Sequence, residues 1–551
     1  MKKQRSLYVF LVAGVVGAVL AFVFYPTAFP QSALKVDISH TEAEERAVAY
    51  MQGRGVDTSA WKRATIFEVD DGGQIFLQRA LGIPGFIQKV RENSNLEPWH
   101  YTTRFFRPLE KEEYFVGVSA RGAVVSFEHH IQESQAGTEL TKDAALKVAA
   151  EFLADQQGIS IADYEEKSYT DERKENRVDH AFDFGLKGSA IAWSADTSAS
   201  TGAQRLVVVV QGDRIGMFGK YIFVPEDFQR MQETADSTGV LLVALAAILE
   251  VVLTGFAVFF LLRRYKAGDL RMRRVVLLTV AGAVLLLISI ASSPSGLLFG
   301  YITTTPWTTF LSISTILLLV SVGIFVLASL IVGVPGESIA REQVPHANDL
   351  DPQKIYTRRY LASAITKGFL MAIAMIGYIS MFYAMGAKFF SIWSPLTPEI
   401  SGYMASWLPF TIPLAVGITA AISEEFTFRL FAIPLLKRYV RWTWLAVVIP
   451  AVVWAFLHST YPVYPLYVRG IELTIVGIAL GYVFLKEGLL TVLVAHFSFN
   501  AILLSLPLVT SGNAWLQFSG VAAILLTLVL PFAYLLVTTT SSDNTTEGST
   551  I

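Results

Sequence analysis

The sequence predicts a multi-span, all-α membrane protein of about ten transmembrane helices with an extracytoplasmic α+β domain of two repeated units inserted after the first span. Three observations predict it. Of 551 residues, 53% are hydrophobic and only 16% charged, against about a quarter charged in soluble domains. Apolar runs long enough to cross about 30 Å of hydrocarbon recur along the chain. A long polar stretch, 31–235, separates the first run from the rest. The net charge of −2 gives no basic excess, which argues against a nucleic acid partner. The absence of cysteine excludes disulfides, thiolate nucleophiles and Cys-ligated metal centres.

The first span, about Leu7 to Phe29, follows the basic start Lys2, Lys3 and Arg5. Its apolar run exceeds a signal-peptide core and no small-x-small cleavage site follows, so it is expected to remain as a signal anchor. Further runs at roughly 239–262, 275–292, 308–334, 361–388, 410–437, 443–459, 470–485, 488–508 and 515–537 complete the count. Loop charge sets the orientation. Six basic residues lie from Arg263 to Arg274, followed by Arg341, Lys354, Arg358 and Arg359, then Lys437, Arg438 and Arg441. The loops 293–307 and 509–514 hold no Lys or Arg. The positive-inside rule then places both termini in the cytoplasm of a multi-pass cell-membrane protein, with 31–235 outside and 389–409 at the outer interface. The expected divisions are an anchor at 1–30, the outer domain at 31–235 and four spans at 236–390. A core at 391–510 follows, with a last span and disordered tail at 511–551.

Within 31–235 a helix-like stretch from Thr41 resembles one from Thr141, each opened by a Thr suited to capping. Each is followed by a hairpin pattern, one turning at Ala120–Gly122 and one at Gly212–Asp213. Aligned, Phe127 matches Phe218 and Ile131 matches Ile222. His129 and His130 are adjacent on a strand and so point to opposite faces, which prevents them from sharing a metal. This domain is expected to sense, dock or inhibit rather than to carry chemistry, and its ligand or regulator is not specified by the sequence.

Ionisable residues inside spans are expensive and mark function. Of eight histidines only His458 and His496 fall within spans, and the acidic residues there are Glu250, Glu424, Glu425 and Glu472. Most of them belong to three patterns: Glu424-Glu425-Phe-Thr-Phe-Arg429, Trp454-Ala-Phe-Leu-His458 and His496-Phe-Ser-Phe-Asn500. Glu425 and Arg429, four apart with Glu first, suit an ion pair on one helix face. That leaves Glu424, turned about 100° around the helix, free for other work. Trp454 stands one turn before His458 and can pack on its ring, while His496 and Asn500 share a face. At about 1.5 Å per residue, Glu424 lies roughly 21 Å above the basic end of its helix, His458 about 24 Å up the next, and His496 and Asn500 about 15 and 21 Å up a third. A carboxylate, two imidazoles and an amide at similar depth indicate a site. Glu250 and Glu472 are expected only to pair or to meet water, and Gly470, Gly477 and Gly481 to pack closely.

The set EExxxR, aromatic-xxx-His and HxxxN, in that order on successive spans, resembles the CAAX protease and bacteriocin-processing (CPBP, Abi) family of intramembrane endopeptidases. That family includes the prenyl-protein endopeptidase Rce. The resemblance covers about residues 400–510, with Trp454 where the family usually has Phe. It implies that Glu424 and His458 activate a water, that His496 and Asn500 face the oxyanion, and that Glu425, Arg429 and Trp454 support them. A low-dielectric cavity suits a carboxylate to general-base work at neutral pH, and one oxyanion donor is worth about 3–4 kcal/mol. Glu424, His458 and His496 are also legitimate zinc ligands, so a metalloprotease remains an alternative. The absence of an HExxH pair favours the metal-free route. A peptide or membrane protein of bacterial chemistry is the expected substrate. A non-enzymatic membrane partner, such as an immunity factor or a transporter-like protein, is the competing function, although no inverted repeat supports a transporter.

Overall fold

The computed structural model describes residues 2–92, 98–194, 200–350, 358–394 and 399–539; the expected tail from 540 onward lies outside them. Helix α1 (Lys2–Ala28) is apolar and leads through a tight turn at Pro30–Ala33 into a sheet domain. The domain runs α2 (His40–Gly53), β1 (Lys62–Val69), α3 (Asp71–Glu92), β2 (Trp99–Phe106), β3 (Glu113–Ser119) and β4 (Val124–His130). It continues with α4 (Lys142–Gln157), β5 (Tyr164–Arg173), β6 (Val178–Leu186), β7 (Ala203–Gln211) and β8 (Arg214–Phe223). The strands form one antiparallel sheet in the order β1-β2-β3-β4-β8-β7-β6-β5. Each half is thus a helix and four strands, with α3 added to the first. The halves meet at β4 and β8, where Phe127 lies opposite Phe218. Aligned positions facing each other across an antiparallel junction are what a pseudo-two-fold axis through the sheet produces.

Local chemistry explains the boundaries. Gly122 and Gly212 take the left-handed backbone, at φ 95° and 63°, in the two hairpin turns. Thr141 caps α4, but α2 does not open at Thr41. Ser39 caps it instead, in a reciprocal box with Glu42 that satisfies two backbone N–H groups where a lone Thr would satisfy one. His129 meets Glu112 at 3.0 Å and stacks on Tyr114, whereas His130 pairs with Glu128. Burial holds the His129 imidazole below its ordinary pKa, and the Glu128 carboxylate raises that of His130.

Helix α5 (Glu226–Lys266) begins in the sheet domain, where Phe228 packs edge-on against Phe76 and Trp193, and continues unbroken into the apolar region. There follow α6 (Arg273–Ser292), α7 (Pro294–Phe299), α8 (Trp307–Gln343), α9 (Arg358–Phe390), α10 (Glu399–Met404) and α11 (Thr411–Glu424). A π-helical segment, Glu425–Ala432, then leads to α12 (Ile433–Tyr439), α13 (Thr443–Phe456), α14 (Tyr467–Glu487), α15 (Leu489–Val509) and α16 (Ala514–Thr539). Among the described residues eight helices are long and apolar enough to cross a membrane: α1, α5, α6, α8, α9, α14, α15 and α16. The other two expected spans are helical without being single long α-helices. The run 410–437 is split by the π segment, and 443–459 yields only the 14 residues of α13.

The sheet domain is seated on the helices rather than tethered above them. Arg104 pairs with Glu113 and donates to the carbonyls of Phe299 and Tyr301, while Phe106 packs on Tyr301 and Trp307. Trp393, Tyr403, Met404, Tyr464 and Leu508 share one apolar core with the sheet and its helices. Helix α1 is equally integral, because Gly17 and Gly377 let α1 and α9 touch backbone to backbone. A Cβ on Gly17 would sit 2.5 Å from the Ala374 Cα and 2.6 Å from the Ile373 carbonyl oxygen. Overpacking of this kind costs about 1–3 kcal/mol. Gly17→Ala is therefore expected to lower the thermal midpoint in detergent by a few degrees, measured by scanning fluorimetry. Gly255→Ala, where a Cβ meets nothing, should not lower it.

Candidate active site

The site starts where α11 ends. The hydroxyls of Thr419, Ser423 and Thr427 each donate to the carbonyl four residues earlier, a pattern that bends helices. From Glu425 the helix widens into π turns, which interrupt α-helices frequently at functional sites. Glu424, the last residue of α11, lines a cavity of about 160 Å³. Glu425 is fully buried and receives Arg429 Nη1 at 3.1 Å, the ion pair that the spacing predicts. The same Glu425 oxygen also takes His496 Nδ1 at 2.8 Å. Arg429 in turn lies 4.4 Å above the Trp454 ring.

Trp454 does more than pad a histidine. Its indole N–H donates to Glu424 Oε2, and its ring stands edge-on to both His458 and His496, at 5.5 and 6.0 Å. Gly477 on α14 leaves room for that ring; a Cβ there would come within 3.0 Å of it. His458 lies beyond the end of α13, on the turn that follows Phe456, so the expected single helix up to His458 stops two residues short. Its Nδ1 meets the Trp454 carbonyl at 2.8 Å. A carbonyl only accepts, so Nδ1 carries the proton and Nε2 is the face left for chemistry. His458 Nε2 stands 3.9 Å from Glu424 Oε1, and His496 Nε2 stands 3.7 Å from Glu424 Oε2. Both separations exceed a hydrogen bond and suit a water held between the two groups. Asn500, one turn beyond His496, lines the same cavity.

Four residues named from the sequence, Glu424, His458, His496 and Asn500, thus border one cavity, and Glu425, Arg429 and Trp454 pack behind them. Sequence reasoning passes over several further lining residues: Arg469, Tyr383, Tyr461 and Gln31. Glu472 is wholly buried and bound by Arg469 at 2.6 Å and by Tyr383. The i,i+3 spacing of Arg469 and Glu472 was the available signal. Among the described residues no three His, Asp or Glu side chains are grouped to hold a metal ion, and the indole N–H already occupies one Glu424 oxygen.

Eight long apolar helices around a buried cluster of carboxylate and imidazole groups define a membrane protein with an enzyme-like polar centre. Residues 406–502 match the family described as type II CAAX prenyl endopeptidase Rce1-like. The family resemblance carried by the three motifs is therefore shown for the segment that holds the site. The chain is also similar to the sporulation-killing factor biosynthesis protein SkfC of Bacillus subtilis (strain 168), with 29% identity over 146 residues. That stretch covers 24% of this chain and 29% of the relative. No solved structure matches the chain.

Replacing Glu425 should differ in kind from replacing Glu424. Glu425→Gln leaves Arg429, 1% exposed, without its counter-charge, a defect worth about 3–5 kcal/mol when one member of a buried pair is removed. Low yield and a lowered thermal midpoint in detergent are expected, with partial recovery in Glu425→Gln combined with Arg429→Met.

Proposed function

We propose that the protein is an intramembrane endopeptidase that hydrolyses a peptide bond with a water activated by Glu424 and His458. The observation that supports this most is the convergence of two imidazole Nε2 atoms on the two oxygens of Glu424 over one cavity. In this reading the water sits between Glu424 Oε1 and His458 Nε2, gives up a proton to this pair and attacks the substrate carbonyl carbon. The carbonyl π electrons move to oxygen, and the oxyanion is met by His496 and Asn500. Because His496 Nδ1 is committed to the Glu425 carboxylate, Nε2 can donate only if the ring carries both protons. Collapse of the tetrahedral intermediate breaks the C–N bond, and the amide nitrogen leaves with the proton that Glu424 and His458 had taken. The products are a carboxylate and an amine.

Among the described residues no three His, Asp or Glu side chains are grouped to hold a metal ion, and the steps above use the named side chains alone. We read the sheet domain as lying outside the cell and both termini as cytoplasmic, on the strength of the basic loops. A bacterial peptide or membrane protein is the proposed substrate.

Turnover of a quenched peptide library in detergent tests the reading. Glu424→Gln and His458→Ala should each lower kcat by about a thousandfold or more, with the thermal midpoint of Glu424→Gln nearly unchanged. Asn500→Ala should cost about a hundredfold. The zinc alternative, with Glu424, His458 and His496 as ligands, is decided by elemental analysis of the purified protein. Stoichiometric zinc that is lost in His458→Ala and His496→Ala would overturn the metal-free mechanism and leave the site in place.

A further inference from the structure

Gln31 stands apart among the residues that line the cavity. It comes from the turn Pro30–Ala33, which joins α1 to the sheet domain, far in sequence from the family-matching segment 406–502. Its side chain is buried, only 7% exposed, and its Oε1 has no hydrogen-bond partner among the described residues. Buried acceptors are almost always paired, and an orphan calls for an explanation. The position is also well fixed. Phe29 packs on Tyr25 and, at 5.6 Å, on Tyr383; Ser32 donates to the Pro26 carbonyl; and α1 is held to α9 through Gly17 and Gly377. The unpaired Oε1 is closed off from solvent on a residue that lines the cavity, and a donor arriving with the ligand would pair it once the side chain turns inward.

We infer that Gln31 Oε1 accepts a hydrogen bond from a backbone N–H of the substrate, so that the first helix and its turn complete the substrate site. This rests on the peptidase reading above and narrows its substrate. In a helix every interior N–H is already bound to a carbonyl four residues back, and inside a membrane no water can substitute for it. A substrate N–H is therefore free for Gln31 only where the substrate has left the helical form. The cavity would select an extended peptide, or a transmembrane segment unwound beside its scissile bond, by its backbone rather than by its side chains. Much of the remaining wall (Met375, Ile379, Val416, Phe499 and Leu503 among others) is apolar, with Tyr383, Tyr461 and Arg469 as further polar members.

Two measurements test this. The first replaces single amides of a cleaved peptide by esters, away from the scissile bond, which removes one N–H at a time. At one position kcat/KM should fall about tenfold for the wild type and less than twofold for Gln31→Ala, with kcat little changed. Equal losses in both proteins at every position, or a Gln31→Ala variant with unaltered kcat/KM, would overturn the inference. The second uses the absence of cysteine in the chain. Gln31→Cys introduces a single thiol, which a small methanethiosulfonate reagent should modify with loss of turnover, and a non-cleavable peptide should slow that labelling at least fivefold. Labelling at the same rate with and without the peptide counts against it. Turnover that depends on Glu424 but ignores residue 31 sinks this inference alone. A wild-type protein with no Glu424-dependent turnover sinks the peptidase reading, and this inference with it.

Discussion

The buried Glu425 carboxylate is the fixed point of the site. A charge without exposure is tolerable only with a counter-charge and hydrogen bonds close by, and here one oxygen takes both Arg429 and His496. That double engagement sets three things together. It ties α15 to the π segment, it fixes which nitrogen of His496 faces the cavity, and it holds the Arg429 guanidinium under the Trp454 ring. Trp454 then reaches Glu424. The adjacent carboxylates therefore differ by environment: Glu425 is enclosed by Arg429 and His496, and Glu424 is partly open to the cavity.

Much of this was legible in the residues. The i,i+4 pair Glu425–Arg429 follows from helical spacing and forms in the structure; Glu424 lines the cavity, with one of its oxygens taken by the Trp454 indole. The hairpin turns at Gly122 and Gly212 follow from glycine's tolerance of positive φ. What spacing could not reveal is where helices stop being regular. The π segment has no composition of its own, because the residues that widen it are the same apolar and hydroxyl types that fill α-helices. The end of α13 before His458 carries no Gly or Pro to announce it. Gln31 was invisible for another reason: nothing in its neighbours tells a reader that a turn beyond the first helix folds back over a cavity built from residues hundreds of positions away.

The helices and the sheet domain are one body in packing terms. Apolar side chains of the sheet, of α10 and of the turns near Trp393 and Tyr464 form a single core. Helix α5 runs through both regions without a break, and Arg104 brings a buried ion pair to the junction. Residues that line the cavity and residues that seat the sheet domain alternate along the same loops. Ser394 adjoins Trp393, and Val463 adjoins Tyr464. A load on the sheet domain is therefore carried to the rim of the cavity through two bonded neighbours rather than through a flexible linker.

The strand order has a consequence for how the protein lives among its neighbours. Joining two four-stranded halves at β4 and β8 leaves β1 and β5 as the only outer strands of the described sheet. Strand β1 is covered by α7 and α10, but β5 faces open surroundings with its backbone groups on offer. An uncovered strand invites pairing with another chain. Here it carries Glu165, Glu166, Lys167, Asp171, Glu172 and Arg173 in a run of ten residues, and Lys142 and Glu139 reach across to hold Glu166 and Arg173. In a membrane, where copies meet in two dimensions at high local density, that charged border keeps one sheet from growing into the next.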